Sequence, residues 1–195
     1  MTDPLPIHPF RILSPGEPAL PCVPGTLDLV LERSAFGGGS HPTTVSCLEL
    51  LTELAPLDGL RVLDLGSGTG ILGIAALRLG ASRALCVDVN PEAVASAVRN
   101  GAANGLEARL DHRCAMADDL AGATFDLVVA NIGGELLLDQ VAHVAPLARP
   151  GGRLLLSGLL RGYAGELAEA YARHGCEVVA RRFPGEFCTL LLRRG

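Results

Sequence analysis

The sequence has no lysine; all sixteen of its basic residues are arginine. Chemistry built on a lysine amine is therefore excluded, both the imine formed with a carbonyl substrate and the lysine of a Walker A phosphate loop. No run of about 18 apolar residues is present and the amino end carries no charged-then-apolar leader, so neither a membrane span nor secretion is expected. Close cysteine pairs are also missing. Cys22, Cys47, Cys86, Cys114, Cys176 and Cys188 are scattered, as are the five histidines, whereas zinc and redox motifs bring such residues together in pairs. The reading is no metal site, and thiols that serve as small buried apolar groups in a reducing cytoplasm. Surplus positive charge is lacking too: 21 acidic residues outweigh the 16 basic ones and leave a net charge of −5. Sequence-independent nucleic-acid binding needs a basic surface, so no nucleic-acid partner is expected.

What is present suits one globular domain: 195 residues, 49% hydrophobic and 19% charged. Seven of the thirteen prolines fall within residues 1–25. That density predicts neither helix nor central strand, so residues 1–26 read as an arm and residues 27–195 as the domain proper. Beyond the arm, short apolar runs at 61–65, 83–87, 109–114, 125–130, 153–157, 176–181 and 187–192 alternate with helical signals. Pro42 at a first-turn position follows Ser40, read as the helix cap, and Asn90-Pro91-Glu92 is a start of the same kind. Residues 134–147 and 162–174 are also helix-like, with Gly175 at the C-cap. Five strands alternating with helices, then two strands separated only by Phe183-Pro184-Gly185-Glu186, give a doubly wound, Rossmann-like α/β fold. Its seven-stranded sheet is mostly parallel and ends in an antiparallel hairpin. The ligand belongs at the carboxyl ends of the strands.

One segment carries chemistry. Val62-Leu63-Asp64-Leu65-Gly66-Ser67-Gly68-Thr69-Gly70 runs a strand straight into a glycine loop, and residues 71–79 continue as a helix. Glycines there let a ligand approach the backbone and let the helix start close to the strand. The next strand ends at Asp88, followed by Val89, with Asp88 lying 22 residues after Gly66. A carboxylate at that tip is placed to accept hydrogen bonds from ribose hydroxyls, so loop and acid read as an adenosine site; a tight turn without ligand is the bland alternative. Gly68-x-Gly70-x-x-Gly73 also fits the dinucleotide fingerprint. Three features favour S-adenosylmethionine. Asp64 suits a cofactor bearing an ammonium group and is an odd neighbour for pyrophosphate, although it could instead fix the loop through backbone N–H groups. A nicotinamide dehydrogenase is expected to need a second domain, for which no length remains. The fourth strand ends at Asn131, a polar amide where a methyl acceptor would be held.

Ala35-Phe36-Gly37-Gly38-Gly39-Ser40-His41-Pro42-Thr43-Thr44 resembles the Ala-Phe-Gly-Thr-Gly-x-His-x-Thr-Thr signature of the PrmA methyltransferases. The resemblance continues through Gly66–Gly70, Asp88, Asn131-Ile132, Pro150-Gly151-Gly152 and Ser157-Gly158-Leu159, and covers about residues 27–193. It implies a class I methyltransferase that uses S-adenosylmethionine, releases S-adenosylhomocysteine and methylates amines of a large-subunit ribosomal protein. By matching positions it implies cofactor contacts from Thr44, Gly66, Asp88 and Asn131, with Phe36 and His41 near the transferred methyl and Ala115 and Met116 near the adenine ring. The loop residues Ser67, Gly68 and Gly70, with Asp64 and Val89, complete the expected cofactor set. Two departures stand out: Gly38 replaces the family's threonine, and the arm is too short to be the family's separate N-terminal recognition domain.

Methyl transfer to nitrogen needs a neutral amine. A lysine of pKa ~10.4 costs about 4.6 kcal/mol to deprotonate at pH 7, an α-amine only about 1 kcal/mol. An apolar pocket beside a sulfonium cation lowers either pKa, so no strong base is required. Asn131 is expected to align the amine. His41 either takes the released proton or caps or braces the Pro42 helix start. Asp118 and Asp119 read as a solvated loop and Glu135 as an ordinary first-turn acid. The acceptor is expected to be a protein or peptide amine; a small-molecule N- or O-methyltransferase and a cofactor-binding scaffold without catalysis are the alternatives. The location expected is cytoplasmic.

Overall fold

A computed structural model describes residues 6–17, 24–32 and 38–195. The elements in chain order are β1 (Pro6–Ile7), β2 (Phe10–Leu13), β3 (Leu27–Val30), α1 (Pro42–Leu54), β4 (Arg61–Leu65), α2 (Ile71–Arg78), β5 (Arg83–Asp88), α3 (Pro91–Ala103), β6 (Leu110–Cys114) and β7 (Phe125–Asn131). They continue with α4 (Gly134–Asp139), α5 (Val141–Val144), β8 (Ala148–Leu160), α6 (Ala164–Ala172), β9 (Cys176–Arg182) and β10 (Phe187–Arg194). Seven strands form one sheet in the order β6-β5-β4-β7-β8-β10-β9. Pairing is parallel from β6 to β8, and β10 runs antiparallel to both of its neighbours. The order follows from the residues. In β10, Cys188 to Leu192 is a buried unbroken run suited to an interior strand, whereas Cys176–Arg182, after the buried Cys176, alternates exposed and half-buried and carries the charge of an edge. The chain reverses its direction of winding between β4 and β7, which places a crevice at the carboxyl ends of those two strands.

The proline-rich arm departs from expectation. β1, β2 and β3 form a three-stranded sheet with β2 in the middle. Pro9 and Pro15 bracket Phe10–Leu13 without interrupting it, so the ladder loses no N–H within that window. Phe10, Ile12 and Leu29 are buried in the same core as α1 and α2 residues. Arg11 holds Asp28 of β3 with two bonds of 2.6 and 2.8 Å. β3 is in turn clamped by the C-cap of α3, Asn104, whose amide exchanges both hydrogen bonds with the Val30 backbone.

Three local readings need adjustment. The cap of α1 is His41, whose Nδ1 accepts from the Thr43 N–H, because a proline in the first helical position makes the residue just before it the cap and leaves Ser40 outside. The helix expected over 134–147 is dented at Gln140, where φ −97° and ψ 7° join α4 to α5, and Pro146 falls in a closing 3-10 turn. Asp119 is more than a solvated acid, since it accepts the Met116 N–H at 2.9 Å. Of the cysteines, Cys47, Cys86, Cys176 and Cys188 are buried and Cys114 is exposed; Cys22 lies outside the described residues. No helix among the described residues is long and apolar enough to cross a membrane.

Candidate functional site

The glycine loop is shaped by three residues of positive φ: Gly66 (70°), Gly68 (54°) and Gly70 (78°). Gly66 is also required for space. A Cβ there would stand 2.2 Å from Ile132 Cγ2, so the loop after β4 and the loop after β7 touch through a glycine. Gly66 and Ser67 donate to the Val87 carbonyl at 2.8 and 3.0 Å, which ties the loop to β5. Gly70 caps α2 without a side-chain acceptor; Asp64 provides one from below.

Asp64 is 1% exposed. Its Oδ2 accepts the Gly73 N–H at 2.9 Å, a carboxylate beneath the first turn of α2. Burial pushes its pKa up to about 7, partly opposed by that backbone bond. Of its two sequence readings, the geometry matches the loop-fixing one. Asp88 occupies the rim. Its Oδ2 takes the Gly68 N–H and its Oδ1 the Asn90 N–H, both at 2.9 Å. Each oxygen keeps a lone pair, and the side chain lines the cleft. A buried asparagine missed by the sequence reading supports the loop from α3: Asn100 donates to the Thr69 carbonyl at 2.9 Å and accepts the Glu32 N–H at 2.8 Å.

The cleft has a volume of about 190 Å³. Val87, Asp88 and Val89 form its β5 side, Ala115 and Met116 one wall, and Leu136, Gln140 and Val144 the other. Val89, Met116 and Leu136 are exposed large apolar side chains, at 65%, 46% and 46%. All three face this cleft, a concentration that marks a ligand surface. The expected residues Gly66, Asp88, Val89, Ala115 and Met116 thus share one crevice; Leu136, Gln140 and Val144 carried no motif that could announce them.

At the tip of β7, the Asn131 amide donates to Thr44 Oγ1 at 3.2 Å. Its Oδ1 has no partner among the described residues. The next backbone unit is fixed by the Ile132 N–H to Ser157 carbonyl bond of 3.0 Å. Gly158 (φ 85°) lies so close that a Cβ would meet the Ile132 carbonyl oxygen at 2.5 Å. His41 sits at the start of α1 with Nδ1 held by Thr43, and its ring meets the edge of Phe187 at 5.0 Å between centroids. The α1 start thus contributes Thr44 to β7 and His41 to β10. Phe36 lies outside the described residues. Glu135 accepts a hydrogen bond from the Tyr163 hydroxyl at 2.9 Å, a tie between α4 and the turn before α6. No cluster of metal-binding side chains occurs among the described residues.

With this geometry in place, the comparisons with known proteins are decisive for the family. The family model for "Ribosomal protein L11 methyltransferase (PrmA)" matches residues 27–195. The chain belongs to the PrmA family. A ribosomal protein L11 methyltransferase of Azotobacter vinelandii is 45% identical over 150 residues, 76% of this chain and 50% of that protein. One from Geobacter sulfurreducens is 41% identical over 176 residues, 89% and 57% of the two chains. The chain thus spans about half the length of the curated PrmA relatives it matches. The crystal structure of a ribosomal protein L11 methylase from Lactobacillus delbrueckii subsp. bulgaricus superposes with a TM-score of 0.84 at 28% identity, covering 96% of this chain and 95% of that one.

Proposed function

We propose that this chain transfers a methyl group from S-adenosylmethionine to an amine of a ribosomal protein, the L11 protein named in its relatives being the first candidate. The observation that carries the reading is the joining of the glycine loop and Asp88 to an apolar slot on one side and to Asn131 on the other. When bound, S-adenosylmethionine supplies a methyl already activated on a sulfonium sulfur. The chain's own work is then to hold and orient. Gly66 to Gly70 admit the cofactor against the backbone, Asp88 offers its remaining lone pairs to ribose hydroxyls, and Ala115 and Met116 face the base. Thr44 holds the Asn131 amide by its nitrogen, which leaves Oδ1 to accept an N–H of the incoming amine and point its lone pair at the methyl. His41 takes the released proton at Nε2 in the tautomer whose Nδ1–H donates to Thr43 Oγ1 at 2.7 Å, because an Nδ1 that accepts leaves the ring hydrogen on Nε2. Asp64 acts through the loop. Residues 27–195 form the transferring unit, to which the preceding segment is joined where β2 pairs with β3.

The test is incubation with methyl-labelled cofactor and recombinant ribosomal protein L11. Label in the protein band is expected; label confined to small molecules would contradict a protein acceptor. Asn131→Ala should lower turnover roughly 100-fold, as loss of alignment does, with S-adenosylhomocysteine affinity nearly kept. Full turnover in that variant would remove Asn131 from the reaction.

A further inference from the structure

The α4–α5 wall of the cleft holds a polar group that the described residues leave unanswered. Leu136, Gln140 and Val144 stand four residues apart. The Gln140 N–H to Leu136 carbonyl bond (3.0 Å) and the Val144 N–H to Gln140 carbonyl bond (2.8 Å) keep that spacing across the dent between the helices. Gln140 Oε1 is buried without a hydrogen-bond partner, and its Nε2 has none among the described residues. Among the described side chains lining this cleft, only Gln140 and Asp88 are polar. Both Asp88 oxygens already take backbone N–H groups, and the Met116 N–H on the facing wall is engaged by Asp119. A purine entering so apolar a slot gives up water at its amino group and ring nitrogens, which is costly unless a protein group replaces it. A carboxamide presents one donor beside one acceptor. An adenine edge presents the complementary acceptor and donor.

We propose that Gln140 reads the adenine edge of the cofactor, so that the α4–α5 junction determines which base the cleft accepts. The assignment rests on the S-adenosylmethionine reading above. It also gives the orphaned amide a partner and explains why a polar residue interrupts an apolar wall.

The test is calorimetric titration with S-adenosylhomocysteine and with its 6-deamino analogue, in which hydrogen replaces the purine amino group. The parent protein should prefer the amino form by roughly 5- to 150-fold, the range of a bidentate carboxamide–adenine pair. Gln140→Leu should bind both ligands with one weakened affinity, the preference gone. Equal affinities in the parent, or an undiminished preference in Gln140→Leu, would overturn the assignment. The parent comparison needs no variant, so equal affinities there overturn the assignment even if Gln140→Leu fails to fold. A parent that takes neither ligand would instead sink the cofactor reading and this assignment with it, a result distinct from equal binding of both.

Discussion

At the amino ends of the parallel strands, the Asp126 carboxylate takes the Arg61 backbone N–H at 2.8 Å and the Arg149 Nε at 2.6 Å. Arg194 donates to the Pro146 and Ala148 carbonyls, and Arg109 to that of Ala81. At the carboxyl ends the pattern is opposite. Asp88 keeps lone pairs free on the rim, Asn131 Oδ1 and the Gln140 amide have no partner among the described residues, and large apolar side chains stand open to the cleft. The same sheet thus has one edge where side chains close the structure and one where they are left for a visitor. Charge alone does not mark the functional edge; unmet hydrogen-bonding capacity beside exposed apolar surface does.

The largest effect that sharpens this contrast comes from glycines. Gly66→Ala combines positive φ with a Cβ 2.2 Å from Ile132, and should cost roughly 3 kcal/mol or more of stability and abolish S-adenosylhomocysteine binding. Gly122→Ala also sits at positive φ (85°) but meets nothing within 4 Å. It should cost only about 1–2 kcal/mol and leave binding intact. Thermal unfolding and calorimetry of the two variants separate backbone strain from loop closure. Similar losses in both would erase the distinction.

The next effect compares acids. Asp88→Ala should weaken S-adenosylhomocysteine roughly 100-fold, the value of charge-assisted bonds to two hydroxyls. Asp126→Ala, at the other edge, should cost about 1 kcal/mol of stability and leave the affinity within about twofold. A large binding loss in Asp126→Ala would break the comparison.

The smallest effect tests how the loop is held. Burial raises the Asp64 pKa above its unfolded value, to about 7. Between the unfolded and folded pKa values the folded state therefore binds the extra proton, so stability associated with this group falls as pH rises through that window and stays low above it. Asp64→Asn keeps an oxygen for the Gly73 N–H and removes the ionisation. Its melting temperature relative to the parent should climb between about pH 5 and about pH 7.5. A difference that is flat with pH would show that folding does not raise the Asp64 pKa above its unfolded value.

Much of the sheet was legible because β4, β5, β7 and β10 are each built on a short apolar run. Phe183 to Glu186 proved to be the whole connection between β9 and β10, and Asn90 caps α3 through the Glu92 N–H as read. What the sequence hid were features made by contacts distant along the chain. The strands in the arm depend on β2 finding β3 and on Asn104, the C-cap of α3, holding Val30, 74 positions away. The cap at His41 is one of the roles that its place before Pro42 offers, and the bond from the Thr43 N–H selects it. The glycine loop and Asp88 announced the cleft by spacing, but Gln140 belongs to no motif, and its position opposite Ala115 and Met116 depends on how α4 and α5 cross the sheet.

The central claim is that the crevice at the tips of β4, β5 and β7 holds a sulfonium adenosine cofactor and not a dinucleotide. Isothermal calorimetry of the parent protein tests it most directly, with S-adenosylhomocysteine in one syringe and NAD in another. Saturable binding of the first at one site per chain, with no heat from the second, is the predicted result. Silence with S-adenosylhomocysteine, or saturable binding of NAD, would contradict it.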